Sequence, residues 1–187
     1  MSNAGGMATV TRYTDMLAGN TTWVPWEPEG AYDSLAAVTL SAATSSITFA
    51  GIPSTYKHLQ IRFIGISSAS NPDINLTYNG DTGSNYRIHI LRGFGGGTAQ
   101  GESYAVSAIT AFVSSVFVAG VTDILDYAST TKTKVARTLV GYDLNGGGAV
   151  GLWSHLWTGT STINSITLTA STGNINQHSQ FTLYGVK

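Results

Sequence analysis

Residues 58–64 read HLQIRFI, and this stretch decides the fold class. Leu59, Ile61 and Phe63 alternate with polar residues, so one side of an extended chain is apolar and the other side is mostly polar. A period of two is the pattern of a half-buried β-strand, because successive side chains of a strand point to opposite faces. We therefore predict a strand here that continues to residue 66 and directs its apolar residues into a core.

The same pattern recurs along most of the chain and predicts about nine or ten strands. Turn residues separate the segments at roughly regular spacing, and Asn79-Gly80 is a dipeptide typical of tight turns. The predicted strands cover residues 35–40, 47–49, 58–66, 74–78, 86–91, 116–127, 135–144, 150–157, 163–168 and 181–186. Residues 104–113 fit either a strand or a short helix, and the glycine-rich residues 93–101 are predicted to form a loop.

No segment has the apolar periodicity of a helix of three turns. Many short strands joined by short connections are typical of an antiparallel sandwich or barrel, and they exclude a parallel βαβ architecture. We predict an all-β fold in which residues 32–187 form one antiparallel β-sandwich domain. Jelly-roll connectivity is the best match to the number of strands.

The composition favours a neutral surface of hydroxyl-bearing side chains. The 187 residues include 20 Ser, 25 Thr and 22 Gly, and charged residues make up only 10%, against about 25% in an average soluble domain. Threonine suits exposed strand faces better than lysine or glutamate does. The net charge of -1 and the scattered basic residues predict neither nucleic acid nor a membrane as a partner. The chain contains no cysteine, so thiol chemistry is excluded.

Residues 1–31 lack the alternating pattern and are predicted to form an extended N-terminal arm. Trp23 and Trp26 flank Pro25 in polar surroundings. The two rings either fold back onto the core of their own domain or anchor the arm on a neighbouring subunit, since tryptophan is enriched at interface hot spots. The predicted assembly contact consists of Arg12, Tyr13, Leu17, Trp23 and Trp26.

The candidate catalytic residues do not form the groupings that catalysis requires. Asp123 and Asp126 are three residues apart, and this spacing on a strand directs the carboxylates to opposite faces, whereas glycosidic hydrolysis needs two carboxyls that face each other. The four histidines lie on separate segments without the spacing of a zinc site. These histidines are His58, His89, His155 and His178. The chain is therefore predicted not to be an enzyme.

Two loops resemble ligand-binding motifs but lack their key residues. Residues 79–85 alternate oxygen-bearing side chains as a calcium loop does, yet they hold one carboxylate and no bidentate Glu, so a plain hairpin turn is favoured. Residues 93–97 are rich in glycine, but no Lys-Ser/Thr follows and no helix begins there, so they do not form a phosphate loop. No cofactor and no metal site are predicted.

Trp153 and Trp157 are four residues apart and share one face of a predicted strand. Leu152 and Leu156 occupy the other face, so the strand is either central in its sheet or covered by a partner. The tryptophans are accordingly predicted to lie in the core or in an interface. The alternative is a glycan-binding platform built from exposed rings such as Trp157 or Tyr104.

Six segments with distinctive sequences are spread over nearly the whole chain. They are RYTDMLAGN at residues 12–20, YDSLA at 32–36, IPSTYKHLQIR at 52–62, NGDTGSNY at 79–86, DILDYA at 123–128 and FTLYG at 181–185. Together these segments resemble a group of small virion structural proteins of tailed phages, cyanophages in particular. The resemblance implies a location in the phage particle more firmly than it implies a role there.

The resemblance and the composition together predict an outer-capsid decoration or cement protein without catalytic activity, on the exterior of the virion. Its expected partners are the major capsid protein or other virion proteins and further copies of itself, with a homotrimer as the first expectation because such proteins form symmetric assemblies. The alternative is a tail- or fibre-associated sandwich that binds a receptor or a glycan.

Overall fold

The computed structural model describes residues 30–95, 97 and 99–187, and this part of the chain is all-β. Residues 32–187 form one compact unit. Its twelve strands are β1 (Tyr32–Thr39), β2 (Ser46–Ala50), β3 (His58–Gly65), β4 (Asp73–Tyr78), β5 (Tyr86–Phe94), β6 (Ala99–Tyr104), β7 (Ala108–Ala111), β8 (Val118–Leu125), β9 (Lys134–Asp143), β10 (Gly148–Trp157), β11 (Ser165–Ala170) and β12 (Gln180–Val186). Within these ranges no helix has the length and apolar character needed to cross a membrane.

The strands form two antiparallel sheets. The large sheet has the order β1-β12-β3-β8-β9-β10-β5-β6, and the small sheet has the order β2-β11-β4-β7. Buried side chains of both sheets belong to one core, and β7 packs against β9 and β10. The prediction of an antiparallel β-sandwich is confirmed, and the jelly-roll connectivity stays a prediction. The predicted N-terminal arm lies outside the described residues.

The alternation that predicts the fold also places the core. Leu59, Ile61 and Phe63 of β3 are buried, and the intervening Arg62 is exposed. Gly65 ends the strand without a side chain because an aromatic ring fills the space beside it. A Cβ atom on Gly65 would lie 2.2 Å from Cε2 of Phe112, which is too close for two carbon atoms.

One strand lies where the sequence pattern predicts a loop, and another decides between the two alternatives left open for residues 104–113. β6 begins at Ala99 and β5 continues to Phe94, so the prediction of a loop over residues 93–101 is wrong. β6 is an edge strand whose residues are mostly exposed, so its sequence has no apolar periodicity. Backbone hydrogen bonds with β5 stabilise it. The ambiguous residues 104–113 contain β7, which is a strand and not a helix.

Lys134 begins β9 and is fully buried, although the sequence pattern places it at the end of a polar turn. Its ammonium group donates hydrogen bonds to three backbone carbonyls: that of Ser129, that of Lys132 at 2.8 Å and that of Thr160 at 3.0 Å. Burial lowers the pKa of Lys134. The lysine therefore joins the turn before β9 to the segment after β10 from inside the protein.

His155 lies on the inward face of β10, between the rings of Tyr78 and Tyr86 at centroid distances of 5.6 and 5.4 Å. Within the described residues neither ring nitrogen reaches good hydrogen-bond geometry, although the backbone of Leu76 and of Ser107 lies close enough to offset part of the burial penalty. Burial lowers the pKa of His155 to about 4. The imidazole is therefore neutral at pH 7.

Candidate functional site

The face of the large sheet that points away from the small sheet, here called the outer face, has aliphatic side chains at its centre. Four of them are cross-strand partners in direct register, and we call these four the aliphatic row. They are Val121 on β8, Leu139 on β9, Leu152 on β10 and Leu91 on β5. Cross-strand partners have Cβ atoms about 5 Å apart. The row is therefore one continuous apolar stripe across four adjacent strands.

Three of the four side chains of the row are strongly exposed for their size, and Val121 is partly buried. Leu91, Leu139 and Leu152 are 57%, 56% and 48% exposed, and the neighbouring Val150 is 58% exposed. Single exposed leucines are common on protein surfaces, but a contiguous group of exposed aliphatic side chains is typical of a protein–protein contact. The outer face is therefore our main candidate for a functional surface.

The aliphatic row has a polar row on one side and a row of small residues on the other. The polar row runs Asp123, Arg137, Ser154 and His89 in cross-strand order from β8 to β5. The small row runs Ala119, Gly141, Val150 and Gly93 over the same four strands. The three rows therefore form one patch that has an apolar centre and polar side chains along one side.

A network of polar and aromatic side chains bounds the row on the β3 side. The guanidinium of Arg62 lies 5.1 Å from the ring centroid of Tyr32 and 4.9 Å from that of Tyr184. Nε of Arg62 donates to Oε1 of Gln60 at 2.7 Å, and Nε2 of Gln60 donates to Oδ1 of Asp123 at 2.7 Å. These contacts link the β3 end of the aliphatic row to β1 and β12.

A cleft opens on the opposite side of the large sheet, beside the edge strand β7. It consists of two hollows of about 270 and 320 Å³ that share Asn71, Arg92 and Trp153 in their walls. Tyr104 and Phe94 line one hollow each and are exposed. The cleft is the second candidate surface, because concave sites with a few fixed polar groups are the usual form of small-ligand sites.

One ion pair fixes three polar side chains in the wall of the cleft. Nη2 of Arg92 donates to both carboxylate oxygens of Glu102 at 2.8 Å, and the Tyr104 hydroxyl donates to Oε2 of the same carboxylate at 3.0 Å. The bonds from Arg92 and then Tyr104 lower the pKa of Glu102. Because this carboxylate is ionised and paired, it does not serve as a proton donor at neutral pH. The wall instead offers fixed hydrogen-bonding groups beside aromatic rings.

The loop after β4 uses its carboxylate for hydrogen bonds within the protein. Asn79 and Gly80 both have positive φ, at 53° and 72°, as the predicted tight turn requires. The prediction of a hairpin is wrong, because β4 and β5 belong to different sheets. Asp81 accepts hydrogen bonds from the Gly83 amide, from Asn85 and from the Trp157 indole at 2.7 Å, and the Trp157 bond contributes most to lowering the pKa of Asp81. This carboxylate joins the loop to the core.

The prediction that Asp123 and Asp126 lie on one strand is wrong, because β8 ends at Leu125. Asp123 lies on the outer face, whereas Asp126 lies in the turn after β8, where its carboxylate pairs with Lys132 at 2.6 Å and its amide donates to Nδ1 of His58 at 3.0 Å. The Lys132 hydrogen bond is the main cause of the lowered pKa of Asp126. In the part of the chain that the structure describes, no three His, Cys, Asp or Glu residues come together as metal ligands do.

The structure places only some of the residues singled out by sequence. Arg12, Tyr13, Leu17, Trp23 and Trp26, the predicted assembly contact, lie outside the described residues. Trp153 and Trp157 are buried in the core, which confirms the favoured prediction and removes Trp157 as a glycan platform. Tyr104 is exposed in the cleft.

The aliphatic row is the feature that sequence reasoning missed. Leu91 and Leu152 stand at strand positions opposite to their buried neighbours, so the alternation already assigns them to an outward face. The register that brings them beside Leu139 is a property of the folded sheet. The sequence signal that could have predicted the row is the presence of leucine at outward positions of several strands.

Comparisons with known proteins return no match for this chain, whether with protein-family models, with curated proteins or with solved structures.

Proposed function

We propose that this protein is a non-catalytic structural component of a phage particle, an outer-capsid decoration or cement protein. The observation that supports this function best is the aliphatic row, a contiguous apolar stripe on the outer face of the large sheet. A sandwich with a fully packed core is a rigid body, and such a body presents its contact surface without an ordering cost on assembly. The resemblance of the six sequence segments to virion proteins of tailed phages supports the location.

In this proposal the arm of residues 1–31 contributes a second contact, through Trp23 and Trp26, to the major capsid protein. Removing residues 1–30 is expected to lower the occupancy of the protein on capsids. Co-sedimentation with undecorated capsids measures this occupancy, and circular dichroism of the truncated protein serves as the folding control. Undiminished occupancy of a folded truncated protein would show that the arm is not an anchor.

A second candidate function is the binding of a receptor glycan at a tail or fibre, and the cleft favours it. Saccharides are recognised by aromatic rings together with fixed planar hydrogen-bonding groups, and Tyr104, Arg92 and Glu102 supply this combination in one wall. The cleft is open to solvent on the inner side of β5 and β6, away from the outer face.

If the cleft binds a saccharide, Tyr104→Ala is expected to abolish binding on a glycan array, because it removes the exposed ring and one hydrogen bond to Glu102. The matched control is Tyr32→Ala, which removes a comparably exposed tyrosine from the outer face. No glycan bound by the unmodified chain, or equal loss in both variants, would reject this candidate.

A further inference from the structure

We propose that the outer face binds a second copy of this chain across a two-fold axis that lies between β9 and β10 and runs parallel to these strands. This inference rests on the proposed function, in that it treats the outer face as an assembly surface, and it adds the identity of the partner. Three properties of the outer face support it: the symmetry of the aliphatic row, the match of the flanking rows and the size of the face.

The aliphatic row is symmetric about the boundary between β9 and β10. Two of its members precede the boundary, on β8 and β9, and two follow it, on β10 and β5. Rotation about the proposed axis therefore sets Leu139 opposite Leu152 of the partner subunit. It also sets Val121 opposite Leu91 of the partner subunit. Every apolar side chain of the row meets another one, which is the self-complementarity that a two-fold interface requires.

The same axis brings complementary groups together in the flanking rows. In the polar row Asp123 faces His89 of the partner subunit, and Arg137 faces Ser154 of the partner subunit, so no two like charges meet. In the small row the exposed Val150 faces Gly141 of the partner subunit, where the absence of a side chain leaves room for it. One two-fold axis therefore makes each of the three rows complementary to its copy on the partner subunit.

The face is large enough for a stable dimer. Six strands, from β3 to β6 in the sheet order, meet strands of the partner subunit across this axis, and at a spacing of about 4.8 Å and a length of roughly 25 Å they give a contact area of about 700 Å² on each subunit. Stable interfaces of standard size bury about 600 to 1,000 Å² on each partner. Two copies of one surface meet each other directly only across a two-fold axis, so this surface favours a dimer and does not account for the trimer expected from sequence.

The mass of the full chain in solution tests the proposal. Light scattering after size-exclusion chromatography is expected to give twice the chain mass of 19.6 kDa. Leu139→Asp is expected to raise the dimer dissociation constant about 100-fold, because it places a carboxylate against the partner's Leu152 in a desolvated centre. Val106→Asp is the matched control, since Val106 is an exposed aliphatic residue in the link between β6 and β7. This control is expected to remain a dimer.

Far-UV circular dichroism and thermal unfolding confirm that Leu139→Asp is folded, as expected for a change at an exposed position. Leu152→Asp provides a second variant with the same expected outcome. An unmodified chain that is a monomer or a trimer, or a dimer that survives both substitutions, overturns the proposal. The proposed function and the dimer can fail independently. A dimer that is absent from phage particles contradicts the virion role but not the self-association. Phage particles decorated by a monomeric chain contradict the self-association but not the virion role.

Discussion

Replacing Lys134 by methionine is expected to lower the free energy of unfolding by about 3 kcal/mol, measured by urea denaturation. The ammonium is fully buried and donates to the carbonyls of Ser129, Lys132 and Thr160. Methionine fills a similar volume but removes three hydrogen bonds from a charged donor, each of which contributes about 1 kcal/mol or more. Methionine also avoids the free-energy cost of burying the ammonium charge, but this gain offsets only part of the lost stability.

The matched control is Lys132→Met, two residues away. The side chain of Lys132 is 64% exposed and pairs with Asp126, and an exposed ion pair contributes at most about 1 kcal/mol. If both variants lose the same stability, or if Lys134→Met is as stable as the unmodified protein, then the three hydrogen bonds of Lys134 do not have the structural role assigned to them.

Lowering the pH from 6.5 to 4 is expected to destabilise the protein through His155 by roughly 3 kcal/mol. The pKa of the buried imidazole falls from 6.5 to about 4, and one pKa unit corresponds to about 1.4 kcal/mol. In this window the unfolded chain binds the proton and the folded chain does not, so stability rises with pH and is fully present above pH 6.5. The two rings that face His155 belong to Tyr78 and Tyr86, and burial raises the pKa of both, so neither ring is charged here.

Urea denaturation at several pH values isolates this contribution when the protein is compared with His155→Phe, which keeps an aromatic ring and removes the titration. The variant is expected to lose less stability between pH 6.5 and 4 than the unmodified protein does. His178→Asn, at an exposed position in the loop before β12, is the matched control for the loss of a histidine and is expected to unfold as the unmodified protein does. An unchanged pH dependence in His155→Phe would contradict the assignment.

The sequence predicts the fold class because one side of most strands faces the core. Residues 58–64 alternate clearly, and β3 follows that alternation with Leu59, Ile61 and Phe63 buried. β6 has no such signal, since an edge strand with exposed residues on both sides is stabilised by its backbone pairing. Sequence periodicity reports burial, so it identifies strands only where burial is one-sided.

The candidate surfaces are less predictable because they depend on residues far apart in sequence. Leu91 and Leu152 become neighbours only through the pairing of β5 with β10. Arg92 meets Glu102 across the pairing of β5 with β6, a strand that the pattern does not reveal. Lys134 shows the same limit, because a lysine in a polar context is expected at the surface, and only the folded chain brings three carbonyls to its ammonium.

The proposed dimer uses the aliphatic row and leaves the opposite side of the large sheet free. A dimer with buried outer faces would leave the clefts beside β7 exposed on both subunits. The glycan-binding candidate is therefore compatible with self-association, and either function could use the same dimer.

The central claim, that this chain is a structural component of the phage exterior, is tested most directly by quantitative mass spectrometry of purified phage particles. We predict that the chain is present in a fixed stoichiometric ratio to the major capsid protein, as expected for a protein that decorates a symmetric lattice. Absence of the chain from purified particles would contradict the virion role, and a copy number far below that of the capsid lattice would contradict the decoration role.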